Sequence, residues 1–202
     1  MVDYSNRKIN YPILEEIKVR WSPRSFSNEK INDDDIKAII EGARIAPSCF
    51  NEQPWRFLYA HRDETIKFEK IIELLTDSNK IWAKDAPVLM IIYAIKKFKI
   101  SGRENPWHAF DSGTAWGFMS LEATRRGICT HAMGGFDKKK ALDNFGLSIE
   151  LNESDDKSLL TEYTPCAVVA IGKYGNPNEL PEELKKREIP SPRLSMEEII
   201  LG

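Results

Sequence analysis

Several things are scarce in this chain of 202 residues, and each scarcity excludes something. There are only three cysteines, Cys49, Cys129 and Cys166, odd in number and far apart. They form neither a CxxC pair nor a Cys/His metal spacing, which argues against a disulfide framework or a zinc site. Reduced thiols of a cytoplasmic protein are the expectation. The longest apolar run, Val88 to Ile95, is far too short to cross a bilayer, and the first residues lack the apolar centre of a signal peptide. Charge of one sign is not in excess: Lys and Arg number 29, Asp and Glu 31, so the basic balance of a nucleic-acid-binding domain is missing. A Gly-rich dinucleotide fingerprint, an internal repeat and a Ser-His-Asp set are absent as well. The expectation is one domain over residues 1–202 that binds neither nucleic acid nor membrane.

What is present has the periodicity of an α+β protein. Asn32 can cap a helix carrying Ile36, Ile39, Ile40 and Ala43, stopped by Pro47. Trp55 to Ala60 is predicted as a strand, and Phe68, Ile71, Ile72 and Leu75 as one face of a second helix. The run Val88–Ile95 has the character of a strand buried on both faces. From Ala109 to Arg126, glycine and other small residues alternate with Trp116, Phe118 and Leu121. Glycine weakens an exposed helix, so this helix is expected to be closely packed on several sides. Ile128 to His131 and Pro165 to Gly172 are further strand candidates. Asp137 caps a helix from Lys138 to Phe145, closed by Gly146. Prolines break up the tail, 176–202, in which a short helix at Glu182 to Arg187 is possible. An irregular tail this long is costly unless it docks, so it is expected to lie as an arm over a second subunit.

Three segments carry candidate chemistry. In Arg20-Trp21-Ser22-Pro23-Arg24-Ser25-Phe26, guanidinium forks and hydroxyls suit a phosphate, although a solvated basic segment would look the same. In Ala46-Pro47-Ser48-Cys49-Phe50-Asn51-Glu52-Gln53-Pro54-Trp55, amides and a hydroxyl suit a heterocycle that alternates donors and acceptors, although local turn chemistry would also use them. His131-Ala132-Met133-Gly134-Gly135-Phe136-Asp137 places two glycines before a helix, either as a plain turn or as backbone able to come close to a ligand.

Taken in order, R-x-S-x-R-x-F, then A-R-x-A-P-S-x-x-N-x-Q-P-W, then the Gly134-Gly135 segment and the closing Pro192-Arg193-Leu194-Ser195, the chain resembles the nitroreductase family of FMN enzymes from about Arg20 to Ile200. The resemblance implies a nitroreductase-like fold: a mixed, mainly antiparallel sheet surrounded by helices, with the C-terminal arm (176–202) exchanged in a homodimer. It implies that Arg20, Ser22 and Arg193 hold the FMN phosphate, that Arg24 lies by the pyrimidine edge with Trp21 between, and that Pro47, Ser48 and Asn51 reach the flavin from the other subunit. Met133, Gly134 and Gly135 would line the ring near N5, with the Gly135 N–H as donor, and Asn79 falls where some members place another contact. NADH or NADPH would be the hydride donor, and a nitroaromatic, quinone or activated alkene the acceptor, in a ping-pong cycle. A non-catalytic FMN-binding or regulatory protein, or a dehalogenating or cleaving relative, are the alternatives. The chain departs from the common pattern at Trp21, where many members carry a second Arg, at Gly134, where several carry Glu, and at Ser191, where some carry Lys. Among other residues, His131 is conceivable as a proton donor but more simply structural, Cys49 packs, and Lys138-Lys139-Lys140 is a solvated face. Trp107, His108, Phe110 and Trp116 could wall a pocket, with Trp116 more simply a core residue.

Overall fold

The computed structural model describes residues 2–145 and 162–201. The predicted Gly146 stop lies outside them. Four strands form the sheet: β1 (Trp55–His61), β2 (Val88–Ile95), β3 (Cys129–Met133) and β4 (Tyr163–Gly172). Their order is β1-β2-β4-β3, and all three pairings are antiparallel. The parallel component anticipated from the sequence is not found among the described residues. Hydrophobic periodicity sets which face a side chain takes, not the direction of the neighbouring strand, so that detail was not readable.

β2 shows why its run is unbroken. Leu89, Ile91 and Tyr93 enter one core with Phe68, Ile71 and Trp82; Val88, Met90 and Ile92 enter a second core with Ile36, Ile39, Met119 and Ala123. Both faces are buried, so no polar alternation survives. Pro165, which cannot donate to a ladder, is accommodated in β4 because the register with β2 shifts at Ile92/Tyr93.

Eight helices cover the sheet among the described residues: α1 (Glu15–Val19), α2 (Asp33–Arg44), α3 (Thr65–Ile72), α4 (Asp77–Ala83), α5 (His108–Arg125), α6 (Lys138–Asn144), α7 (Glu182–Lys185) and α8 (Met196–Ile199). The caps at α2 and α6 form as expected: Asn32 accepts from the Asp35 N–H at 2.7 Å and Asp137 from the Lys140 N–H at 2.9 Å. α3 stops before Leu75, which instead bridges to Phe136, and the chain then turns into α4, a helix the periodicity did not announce. α2 packs on α5, and Gly42 permits it: a Cβ there would stand 3.0 Å from the Glu122 Cβ. No helix among the described residues is long and apolar enough to cross a membrane.

The expected close packing of α5 is only half present. Asp111, Ser112, Ala115, Met119, Ser120 and Ala123 are buried. A Cβ at Gly113 or Gly117, however, would meet nothing within 4 Å, and Phe110 and Phe118 on the same helix are exposed. Gly113 and Gly117 therefore do not serve packing among the described residues, whereas Ala115, Ser120 and Ala123 do. The tail ends exposed, with Leu194, Met196, Ile199, Ile200 and Leu201 facing outward.

Candidate functional site

Arg20 leaves α1 with its N–H donating to the Glu16 carbonyl at 2.9 Å. Its Nη1 donates to Ser22 Oγ at 3.3 Å, so two of the predicted phosphate groups stand together. The chain's two ends are gathered at the same place. Arg7 Nη1 donates to the Arg20 carbonyl at 2.8 Å and to the Lys18 carbonyl at 3.0 Å, while its Nε donates to the Ser191 carbonyl at 3.3 Å. Asn6 donates to the Pro190 carbonyl. Arg193 donates to the carbonyls of Ser191 and Pro192. None of Arg7, Arg20 and Arg193 pairs with a carboxylate among the described residues. Burial and the neighbouring Arg193 hold the Arg20 guanidinium below its ordinary pKa; burial, Arg193 and Arg20 do the same to Arg7. Desolvated cations that repel one another without a counter-charge form a site for an anion.

The next turn of the segment is fixed by a residue the sequence reading missed. Glu188 is only 6% exposed, and its Oε1 accepts from the Arg24 and Ser25 N–H groups, both at 2.8 Å. Its Oε2 is buried without a partner among the described residues. Burial raises the Glu188 pKa against the lowering effect of those two donors and of Arg24. Trp21 is buried edge-on against Tyr174, with centroids 5.3 Å apart, so its ring packs the strand end.

The segment runs along β3, the edge strand of the described sheet. His131 Nδ1 lies 2.9 Å from the Pro23 carbonyl and the ring lies 4.6 Å from Trp82. Burial first, with Arg24 and Arg20 adding to it, brings its pKa down to about 4, against the raising effect of the Pro23 carbonyl. The ring is therefore neutral at neutral pH, with its Nδ1–H donating to Pro23. The structural role expected of His131 holds. Two residues further on, Met133 is buried in the core, which leaves only its backbone for a ligand.

At Gly135 the reason for glycine differs from the one anticipated. Its carbonyl accepts from the Thr76 N–H at 3.0 Å and from Asn79 Nδ2 at 3.1 Å. A Cβ would stand 3.0 Å from that Nδ2 and 3.1 Å from Thr76 Oγ1. Gly135 is thus required by the approach of α4, whereas the space around Gly134 is open. The Gly135 N–H has no partner among the described residues, which leaves it available as a donor. The Arg20–Arg24 segment and the Gly134-Gly135 turn with Asn79 accordingly lie along the same β3 edge of the described sheet.

Pro47, Ser48 and Asn51 do not join them within the chain. Ser48 Oγ accepts from the Gln53 N–H at 2.9 Å, and the Cys49 N–H donates to Asp111 Oδ2 at 3.1 Å, so the loop is tied to the first turn of α5. Glu16 of α1 acts electrostatically on Arg125, which puts the Arg20 segment by the last turn of α5. The stretch from Asp111 to Arg125 rises roughly 20 Å at the α-helical 1.5 Å per residue. The loop also carries local strain. Phe50 (φ 51°), Asn51 (φ 59°) and Gln53 (φ 49°) are left-handed, and Phe50 is 88% exposed. Such conformations cost on the order of 1–3 kcal/mol each and persist at functional sites. Beside α5, Ser112, Trp116, Ala132 and Cys166 help line a cavity of about 300 Å³, while Trp107 and Phe110 stand exposed in edge contact with each other.

Comparison with known proteins bears on the family and the fold. Residues 17–81, which hold the Arg20 segment, the Ser48 loop and Asn79, match the model of the nitroreductase family. A protein of Archaeoglobus fulgidus, provisionally named as an NADH dehydrogenase/NAD(P)H nitroreductase, is 43% identical over 54 residues; the match spans 27% of this chain and less than a third (31%) of that relative. The Bacillus subtilis protein provisionally named NAD(P)H nitroreductase YdgI is 24% identical over 79% of this chain and 87% of its own length. A solved structure described as an oxidoreductase containing FMN is 31% identical over the whole chain and 96% of its own, with a TM-score of 0.84. With a family-model match over residues 17–81 and a likeness in fold over the whole chain, the chain belongs to the nitroreductase family.

Proposed function

We propose that the chain is an FMN-dependent oxidoreductase that draws on NADH or NADPH and delivers reducing equivalents to a small electron-poor acceptor, and that its working form is a homodimer. The observation that carries this reading is the separation of the two halves of the site: uncompensated guanidinium groups at one end of α5, and a strained, exposed polar loop at the other. Two copies with their α5 helices antiparallel bring the Ser48 loop of one against the Arg20 segment of its partner. Phe110, Gly113 and Phe118 are exposed on α5 and the half-buried Gly117 has open space above it, where such a partner would lie, and the exposed apolar tail can dock on it as an arm.

The residues fit the cofactor. Arg20, Arg193 and Ser22 would hold the phosphate, and Arg24 would stand by the pyrimidine edge as a fixed cation favouring the reduced form. The unpaired Gly135 N–H would point at N5. FMN supplies the hydride chemistry when bound. The chain would hold and orient it through these residues, and the reading needs no protein nucleophile. Nitroaromatics, quinones and activated alkenes are the acceptor classes of this ping-pong reading.

The test is to record the absorption spectrum and mass in solution of the purified chain, then its steady-state oxidation of NADH and NADPH with a quinone. A yellow dimer showing parallel double-reciprocal lines is expected. Gly117→Glu, in open space within one chain, should leave the fold intact yet give a monomer that loses flavin. A colourless wild type that cannot be reconstituted refutes the cofactor; a yellow protein without NAD(P)H turnover is a flavin carrier instead.

A further inference from the structure

Arg7 lies outside every motif quoted from the sequence, yet the structure sets its guanidinium on the Arg20 carbonyl and on the Ser191 carbonyl that Arg193 Nη1 also reaches. Three of its contacts are to carbonyl oxygens, those of Lys18, Arg20 and Ser191. These bonds use Nη1 and Nε, while Nη2 donates to nothing among the described residues. Asn6 adds a fourth tie, to Pro190. The N-terminal segment therefore spans two places remote in sequence, the Arg20 turn and the tail that carries Arg193.

We infer that Arg7 is a third cation of the cofactor's phosphate site, and that the Asn6-Arg7 segment is the clasp that holds Arg193 in place over it. This inference rests on the flavin reading above and adds to it a residue and a latch. The electrostatics suit it. Trp21, between Arg20 and Ser22, buries its ring against Tyr174 and brings no charge to the segment. Arg7 adds a cation from another part of the chain. Accommodating a third guanidinium beside two others, with no carboxylate near, is unfavourable unless a multiply charged anion lies among them. A phosphate monoester, which carries nearly two negative charges at neutral pH, meets that requirement.

Riboflavin, which has the same ring and ribityl chain without the phosphate, separates the contact from general support of the fold. Titration of FMN and riboflavin into the flavin-free full chain, followed by flavin fluorescence, gives both affinities. Arg7→Gln is expected to weaken FMN binding by about 10- to 100-fold, the range for losing one charge-assisted hydrogen bond to an anion, and to leave riboflavin binding unchanged. Arg7→Lys, which keeps the charge but not the fork, should recover part of the loss. Asn6→Ala, which loosens the clasp without touching charge, should weaken FMN less than Arg7→Gln. Equal weakening of FMN and riboflavin by Arg7→Gln would reduce Arg7 to a structural tie, and no change for either flavin would overturn the inference outright. Both results leave the flavin reading standing, because that depends on wild-type FMN binding alone.

Discussion

Replacement of Glu188 tests how the cofactor segment is held. The carboxylate is buried, one oxygen serves the Arg24 and Ser25 N–H groups at 2.8 Å each, and the other has no partner. Glu188→Ala strands two buried donors at about 1–3 kcal/mol each, so a loss of roughly 2–6 kcal/mol is expected. Glu188→Gln keeps an acceptor for both donors and removes a charge that is costly to bury, so at pH 7 it should stay within about 1 kcal/mol of the wild type. The pH dependence gives a second reading. The folded-state pKa of Glu188 is raised, hence its contribution is fully present below the ordinary value of 4.5 and is lost as pH rises through the raised folded value. The difference between Glu188→Gln and wild type should therefore move in favour of the variant from pH 4 to 7, with a slope no steeper than about 1.4 kcal/mol per pH unit. Urea unfolding at fixed protein concentration, compared pH by pH, measures this difference and cancels the other titrating groups. If Glu188→Gln is as damaging as Glu188→Ala at pH 7, or gains on the wild type as pH falls, the carboxylate does not hold the Arg24 turn in the way its geometry indicates.

Two further outcomes are expected. Gly135→Ala, whose Cβ would press on Asn79 and Thr76, should cost about 1–3 kcal/mol and weaken flavin binding, whereas Gly134→Ala, in open space, should stay within about 0.5 kcal/mol; urea unfolding and flavin fluorescence check both. His131, with its pKa brought from 6.5 to about 4, contributes stability that is present above pH 6.5 and lost as pH falls towards 4, by roughly 3 kcal/mol at most; His131→Asn should remove that slope, and a slope unchanged in the variant would place its origin elsewhere.

Much of the fold was legible because local pattern and burial coincide. The cap at Asn32 and the apolar residues Ile36, Ile39 and Ala43 specify α2 from within a dozen residues. The unbroken run in β2 correctly indicated burial on both faces. α4 was not legible: it is seven residues long and buries only Trp82 and Ala83, too little to print a periodicity. For α5 the extent was right to within a residue or two, but the reason given for its glycines was not. Close packing was inferred from Gly113 and Gly117, and among the described residues a Cβ at either would meet nothing within 4 Å. A sequence records that a surface is to be covered, not which molecule covers it.

The same distinction governs the site. Arg20, Ser22 and Arg24 were readable because they lie within five residues of one another, and Ser48 and Asn51 for the same reason. The groups that hold these segments were not readable. Glu188 meets Arg24 across 164 residues of chain, and Arg7 meets Ser191 across 184. In sequence Glu188 closes a Lys-Lys-Arg-Glu run that looks like a solvated charged face, and Arg7 precedes a lysine in a polar N-terminal stretch. Only folding removes their water, and desolvation is what turns an ordinary charge into one that must be answered: for Glu188 by two backbone donors, and for Arg7 and Arg20, on the proposed reading, by an anion. The residues that touch a ligand can thus be clustered and conspicuous, while those that fix the position of the first group are dispersed and look ordinary. Substitutions at Glu188 and Arg7 therefore test the site more sharply than another replacement within the motif.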